Sequence, residues 1–339
     1  MELKERDRSI DIAKGIGIFL MVMGHTTSNK IALQWIYSFH MPLFFFLSGV
    51  FHSQGKNYKE FLEKKVKTLL IPYFFFSIIL FLFFLIVSKN IGFSAGENLS
   101  VKENFIGIFL GNEKKGISDI SWGGQLWFLP ALFLIENIYY FFYKFKVKTR
   151  IMLAICCLIL NTILIKFINI NIPWSWLTVL VAINFYTCGQ LLKEQILNKD
   201  KLKNIYLIIF FILNLVTGYS NSKIDMYSNA YGNIFLFLIS SCSGIIFLIF
   251  FIKNFIKKSK IFEYIGKNSL VVLAFHRRVQ TFTKILFIYL LQREIPNENI
   301  IFDLFYSCWE ILLCIPAVII LNKYFPYLIG KGRKNERKI

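Results

Sequence analysis

The chain of 339 residues is 56% hydrophobic and 17% charged, and 18% of it is aromatic, with 38 phenylalanines. Soluble domains run at roughly 45–50% apolar and 25% charged, so this composition excludes a disordered chain and argues against a cytosolic globular enzyme. A net charge of +19 would suit a nucleic-acid binder, but the basic residues fall in short strips between long apolar runs, which is the pattern of an integral membrane protein.

A span needs about 20 apolar residues. In chain order the apolar runs predict ten transmembrane helices, at 9–27, 31–51, 67–88, 125–143, 151–168, 174–192, 204–220, 231–252, 266–290 and 301–322. Only helices or closed barrels satisfy the backbone in lipid, and continuous runs without strict alternation read as helices. The expected architecture is thus an all-α bundle forming one membrane domain over 1–339. The one long connection, 89–124, is rich in glycine and is expected to carry a short surface helix near 103–110. The first run holds Asp11 and Lys14 and has no small-residue cleavage site, so it reads as a span rather than a removable leader. Cysteines 156, 157, 188, 242, 308 and 314 all lie in apolar runs without C-x-x-C spacing, and read as small hydrophobes rather than metal or redox ligands.

Lysine and arginine orient the bundle. The N-terminus, the connections after each even-numbered span and the C-terminal tail hold 27 basic residues, against eight on the opposite side. Both termini are therefore expected in the cytoplasm, with 89–124 outside. Strips such as Lys64-Lys65-Val66-Lys67 follow from this topology and from attraction to anionic lipid.

Ionisable residues inside spans are costly and mark function by default. In the first span Lys14 and His25 are eleven positions apart, three turns plus about 20°, so they share a face about 16 Å apart along the axis. Asp11 lies one turn before Lys14 and is placed to pair with it. The stripe reads either as a path lined by a cation and an imidazole, or as an interfacial ion pair with a histidine held by a backbone carbonyl. In the second span His40 falls near mid-depth. Pro42 frees a backbone carbonyl, tolerable only against protein or a wet cavity. Ser48-Gly49 permits close approach by a neighbouring helix or by a ligand. His276 and Arg277 lie inside the ninth span, and Arg278, turned a further 100°, calls for another partner, with Glu310 or Glu136 as candidates. No G-x-S-x-G, H-E-x-x-H or phosphate-cradling loop accompanies these histidines, which leaves a histidine acting as general base inside the bundle.

Taken together, the run from Asp11 through Lys14 to His25, FHMPLFFFLSG at 39–49 and the basic strip ending LLIPY at 69–73 resemble the acyltransferase 3 family of integral membrane acyltransferases. The resemblance is nearest its fucose 4-O-acetylase-like branch. Gln125 to Pro130 with Trp127, and Ile265 to Leu270 continuing to His276, are similar to later family segments. The resemblance implies transfer of an acyl group, usually acetyl, from cytoplasmic acetyl-CoA to a hydroxyl of an envelope polysaccharide or lipid-linked sugar. No permanently bound cofactor and no metal are implied. It makes His25 the catalytic base or acyl carrier and Lys14 its basic partner. Asp11, His40, Ser48, Gly49, Lys64, Lys67, Trp127, His276 and Arg277 are the candidate substrate-binding residues. Relatives often have arginines in the basic strip; lysine attracts phosphate but lacks the bidentate fork. The spacing of Lys14 and His25 is comparable with an extended pantetheine arm. The expected partners are acyl-CoA, a glycan or lipid-linked sugar and the bilayer of the plasma or inner membrane, with no nucleic acid. The competing reading is an exporter of a glycan or lipid-linked sugar, which should show two related halves with broken spans; no such symmetry is visible.

Overall fold

The computed structural model describes residues 7–55, 57–88, 100–111, 124–167, 172–199, 201–291 and 299–331. Most of the 89–124 connection and the ends of both basic tails lie outside these residues.

The described residues form helices almost throughout, beginning with α1 (Arg8–Thr26) and α2 (Lys30–Val50). Next, α3 (Tyr58–Lys65) runs through a π-helical turn at Val66–Leu70 into α4 (Ile71–Phe83), and α5 (Val101–Leu110) falls where the surface helix was expected. A 3₁₀ turn at Gly124–Trp127 leads into α6 (Phe128–Phe142), followed by α7 (Val147–Phe167), α8 (Trp176–Leu191), α9 (Lys193–Asn198) and α10 (Asn204–Tyr219). The chain continues through α11 (Ile234–Phe251), α12 (Lys260–Lys267), α13 (Ser269–Leu291) and α14 (Ile300–Tyr324). Polar residues cap several starts: the Asn29, Asn233 and Asn299 side chains accept from backbone N–H groups of α2, α11 and α14, satisfying donors that would otherwise be stranded at a helix end.

Each of the ten expected runs falls on one of these helices, and among the described residues six helices are long and apolar enough to cross a membrane: Lys30–Val50, Tyr58–Ile86, Gly124–Phe142, Val147–Phe167, Ile234–Ile256 and Ile300–Tyr324. Their outer faces carry exposed apolar side chains, as at Met152, Ile155, Ile159 and Ile163 of α7. Such a face suits lipid and not water.

Two glycine crossings set the packing. A Cβ on Gly15 would collide with the Phe262 carbonyl, and one on Gly266 with the Asp11 carbonyl, so α1 and α12 touch backbone to backbone. Gly49 and Gly189 make the same crossing between α2 and α8, against the Tyr186 and Phe46 carbonyls. Small residues let helices approach this closely where lipid supplies no hydrophobic drive. Pro42 in α2 leaves the Ser38 carbonyl without its helical donor, and the Ser241 hydroxyl of α11 donates to it at 2.6 Å. The freed carbonyl thus lies against protein, one of the two surroundings the sequence allows.

Candidate active site

At the C-terminal end of α1, a cavity of about 160 Å³ is lined by His25, His40, Arg277, Gln125, Trp127, Asp225 and Tyr227, among others. α1 delivers His25 in its last turn, and the end of that helix is fastened by Thr27, whose hydroxyl donates to Asp303 of α14 at 2.5 Å. The Gln280 side chain donates to the His25 carbonyl at 2.9 Å, and Arg277 donates to the Gln280 side-chain amide oxygen Oε1 at 2.9 Å. Two neighbouring residues of the same α13 turn therefore hold the backbone of His25 and present a guanidinium beside it.

His276 lies behind His25, fully buried, with ring centroids 5.2 Å apart. Its Nδ1 sits 2.9 Å from the Leu273 carbonyl. A carbonyl only accepts, so Nδ1 carries the proton and Nε2 presents a lone pair; Nε2 is buried and has no hydrogen-bond partner among the described residues. His40 is held in the same way, its Nδ1 donating to the Ile36 carbonyl at 2.8 Å. Gln125 donates to the Ala274 carbonyl at 2.9 Å, which ties the 3₁₀ turn before α6 to the helix of His276. Trp127 packs on Phe45 and faces Tyr227, with ring centroids 6.2 and 6.1 Å away.

Of the residues expected at the site, His25, His40, Trp127 and Arg277 line this cavity and His276 stands directly behind it. The others lie elsewhere. Lys14 is half-buried with its ammonium 5.5 Å from the centre of the Phe51 ring, at the far end of the α1–α2 contact. Asp11 is buried with Lys267 at 4.0 Å. Lys64 and Lys67 are exposed. Ser48 donates to the Phe44 carbonyl at 2.8 Å, and Gly49 is occupied by the α8 crossing, so the neighbouring helix, and not a ligand, makes the close approach that its sequence allows.

Glu136 is also placed differently from expectation. Its partner is not Arg278 but Lys65, at 2.7 Å; it also accepts from the Tyr186 hydroxyl at 2.7 Å, which in turn lies 2.7 Å from His52 Nδ1. Arg278 instead stacks over Phe83, its guanidinium carbon 5.9 Å from the ring centre. The π-helical turn that follows Lys65 lets this lysine face inward while Lys64 and Lys67 stay exposed.

Sequence reasoning misses His52, Asp225 and Tyr227. His52 follows the second apolar run and looks like connection, yet it is buried among Tyr139, Tyr143 and Tyr186. Asp225 and Tyr227 belong to a short polar connection with no motif; only their juxtaposition with His25 marks them.

A family model described as an acyltransferase domain matches residues 7–320. Neither a curated protein nor a solved structure matches the chain.

Proposed function

This chain belongs to the acyltransferase 3 family, and from that premise we propose that it is an O-acyltransferase of the plasma or inner membrane, moving acetyl from cytoplasmic acetyl-CoA to a hydroxyl of an envelope glycan or lipid-linked sugar. The whole chain acts as one membrane domain with both termini in the cytoplasm. The observation that carries the reading is the convergence of His25, His40 and Arg277 in one cavity at the end of α1 remote from the basic strip.

In this reading the donor phosphates stay at the cytoplasmic mouth near Lys64, Lys67 and Lys14, and the thioester extends along α1 toward His25. His25 takes the proton of the acceptor hydroxyl as the oxygen attacks the thioester carbonyl. The new C–O bond forms, the C–S bond breaks, and the leaving thiolate recovers the proton from His25. A relay in which His25 first accepts the acyl group has the same balance. In the same reading Arg277 stabilises the oxyanion of the tetrahedral intermediate, and His276, with its Nε2 lone pair, the imidazolium formed at His25.

The test is deletion of the gene, followed by mass spectrometry of surface and cell-retained glycan. The expected result is normal export of glycan that lacks one O-acetyl group per acceptor unit. Glycan trapped in the cell with its acetylation intact would overturn the enzyme in favour of an exporter.

A further inference from the structure

The connection between α10 and α11 is a built turn rather than slack chain. Asp225 and Ala230 exchange backbone hydrogen bonds of 2.7 and 3.0 Å. Asn229 and Gly232 take left-handed backbone angles, φ 53° and 57°, which close the turn. Thr178 of α8 donates to the Met226 carbonyl and the Asn229 side chain at 3.0 and 2.9 Å. Gln34 of α2 donates to the Asn221 and Ser222 carbonyls at 3.1 and 2.9 Å. Ile224, Met226 and Tyr231 are buried at 2%, 3% and 6% exposure. The side chains this turn directs into the cavity are therefore fixed before any ligand arrives.

Two of those side chains are polar. The Asp225 carboxylate accepts locally from the Tyr227 N–H at 3.1 Å and from the Ser228 hydroxyl, which leaves each oxygen a further lone pair. The Tyr227 hydroxyl is buried with no hydrogen-bond partner among the described residues, a costly arrangement unless a ligand completes it. Trp127 supplies an aromatic wall beside them. An anionic ligand would meet the Asp225 charge, and an apolar chain would leave both polar groups unsatisfied. A neutral ring carrying adjacent hydroxyls on one edge and C–H groups on a face suits all three residues.

We propose that Asp225, Tyr227 and Trp127 form the acceptor subsite of this cavity and that it takes a pyranose ring, with Asp225 and Tyr227 hydrogen-bonded to ring hydroxyls and Trp127 packed on its face. The proposal rests on the O-acyltransferase reading for the purpose of the subsite, but sugar binding is measurable without transfer. The same ring reaches the site on a lipid tail or free, so both forms are tested.

Full-length protein in lipid nanodiscs is titrated calorimetrically with octyl β-D-glucopyranoside, octyl β-D-galactopyranoside and the corresponding tail-less methyl glycosides. At least one pyranoside is expected to bind. Asp225→Asn and Tyr227→Phe should weaken it about tenfold each, the loss of one hydrogen bond to a charged or buried group, while acetyl-CoA binding stays unchanged. Tyr227→Phe removes only a hydroxyl that has no hydrogen-bond partner among the described residues, so it keeps the test valid even where Asp225→Asn loosens the turn. Tighter binding of octyl than of methyl glycosides points to a lipid-linked acceptor, and equal binding to a free sugar; either supports the subsite. Absence of binding by every pyranoside, or wild-type affinity in both variants, overturns it. Pyranoside binding without acetyl transfer would instead sink the transferase reading and leave the subsite standing.

Discussion

Two buried carboxylates are treated in opposite ways. Glu136, beside the basic strip, has Lys65 on one oxygen and the Tyr186 hydroxyl on the other, with His52 Nδ1 at 3.5 Å. Glu310 sits two turns beyond Asp303 on α14, the helix that holds the end of α1, and neither of its oxygens has a hydrogen-bond partner among the described residues although it is fully buried. We read this difference as one between a structural carboxylate and a functional one. A buried charge that is paired and hydrogen-bonded locks helices together. Buried polar groups left open are costly to hold; they include His52 Nε2 in the Glu136 cluster as well as Glu310, His276 Nε2 and the Tyr227 hydroxyl, and we propose that the last three are kept for chemistry. The first region lies where the basic strip meets α2, α6 and α8; of the second, Tyr227 lines the cavity of His25 and His276 stands behind it.

The largest change is expected on removing the imidazole at the centre of the open region. His25→Ala should reduce transfer by about 100- to 10,000-fold, the range for loss of a general base, with protein level and membrane insertion unchanged. A radiolabelled acetyl-CoA assay in membranes reads it, and near-normal transfer would show that His25 is not the reacting group.

In the closed region the same kind of cut should affect stability rather than turnover. Glu136→Gln leaves the Lys65 ammonium without its counter-charge, and breaking a buried pair from one side costs about 3–5 kcal/mol. Thermal unfolding in detergent should show a large drop in Tm. The double variant Glu136→Gln, Lys65→Met should recover much of it, since no uncompensated charge remains. If the single variant unfolds like wild type, the cluster is not a structural clamp.

Lys14→Ala is expected to have a smaller effect. Lys14 stands over Phe51, the residue before His52 of the closed region, and its removal should weaken the apparent affinity for acetyl-CoA by about 1–3 kcal/mol, one charge-assisted contact, with little change in kcat. A selective fall in kcat at unchanged KM would place Lys14 in the chemistry instead.

How much of this was legible depends on the range of the signal. Hydropathy is local, so the helices and the short α5 could be read from the sequence, and a helix's own periodicity put Lys14 and His25 on one face. The pairing of His25 with His276 is a contact across 251 positions, and no local pattern encodes it; the resemblance to a family, and not the spacing, brought those residues together. Glu136 shows the limit most clearly. Its charge demanded a partner, but which cation reached it depended on the π-helical turn after Lys65, whose sequence VKTLL looks like ordinary helix. The turn bearing Asp225 and Tyr227 was invisible for the same reason: its hydrogen bonds to Thr178 and Gln34 exist only once α2 and α8 are packed.

The smallest expected effect is also the sharpest contrast with Glu136. In Glu310→Gln the shape is kept and a carboxylate without hydrogen bonds among the described residues is replaced by a neutral amide. No hydrogen-bond partner is stranded among the described residues, Arg277 and Lys284 act on Glu310 only through charge, and the cost of holding an acidic group in a dry site is removed, so stability should stay within about 0.5 kcal/mol of wild type or rise. Transfer is the second readout. If Glu310 contributes its charge to the field around His25 and Arg277, activity should fall while Tm does not, the reverse of Glu136→Gln. The two variants measured side by side, by thermal unfolding and by acetyl transfer, therefore test the division itself. A Tm loss in Glu310→Gln as large as that in Glu136→Gln would mean that Glu310 is a paired structural group, and the distinction between a closed and an open polar region would fail.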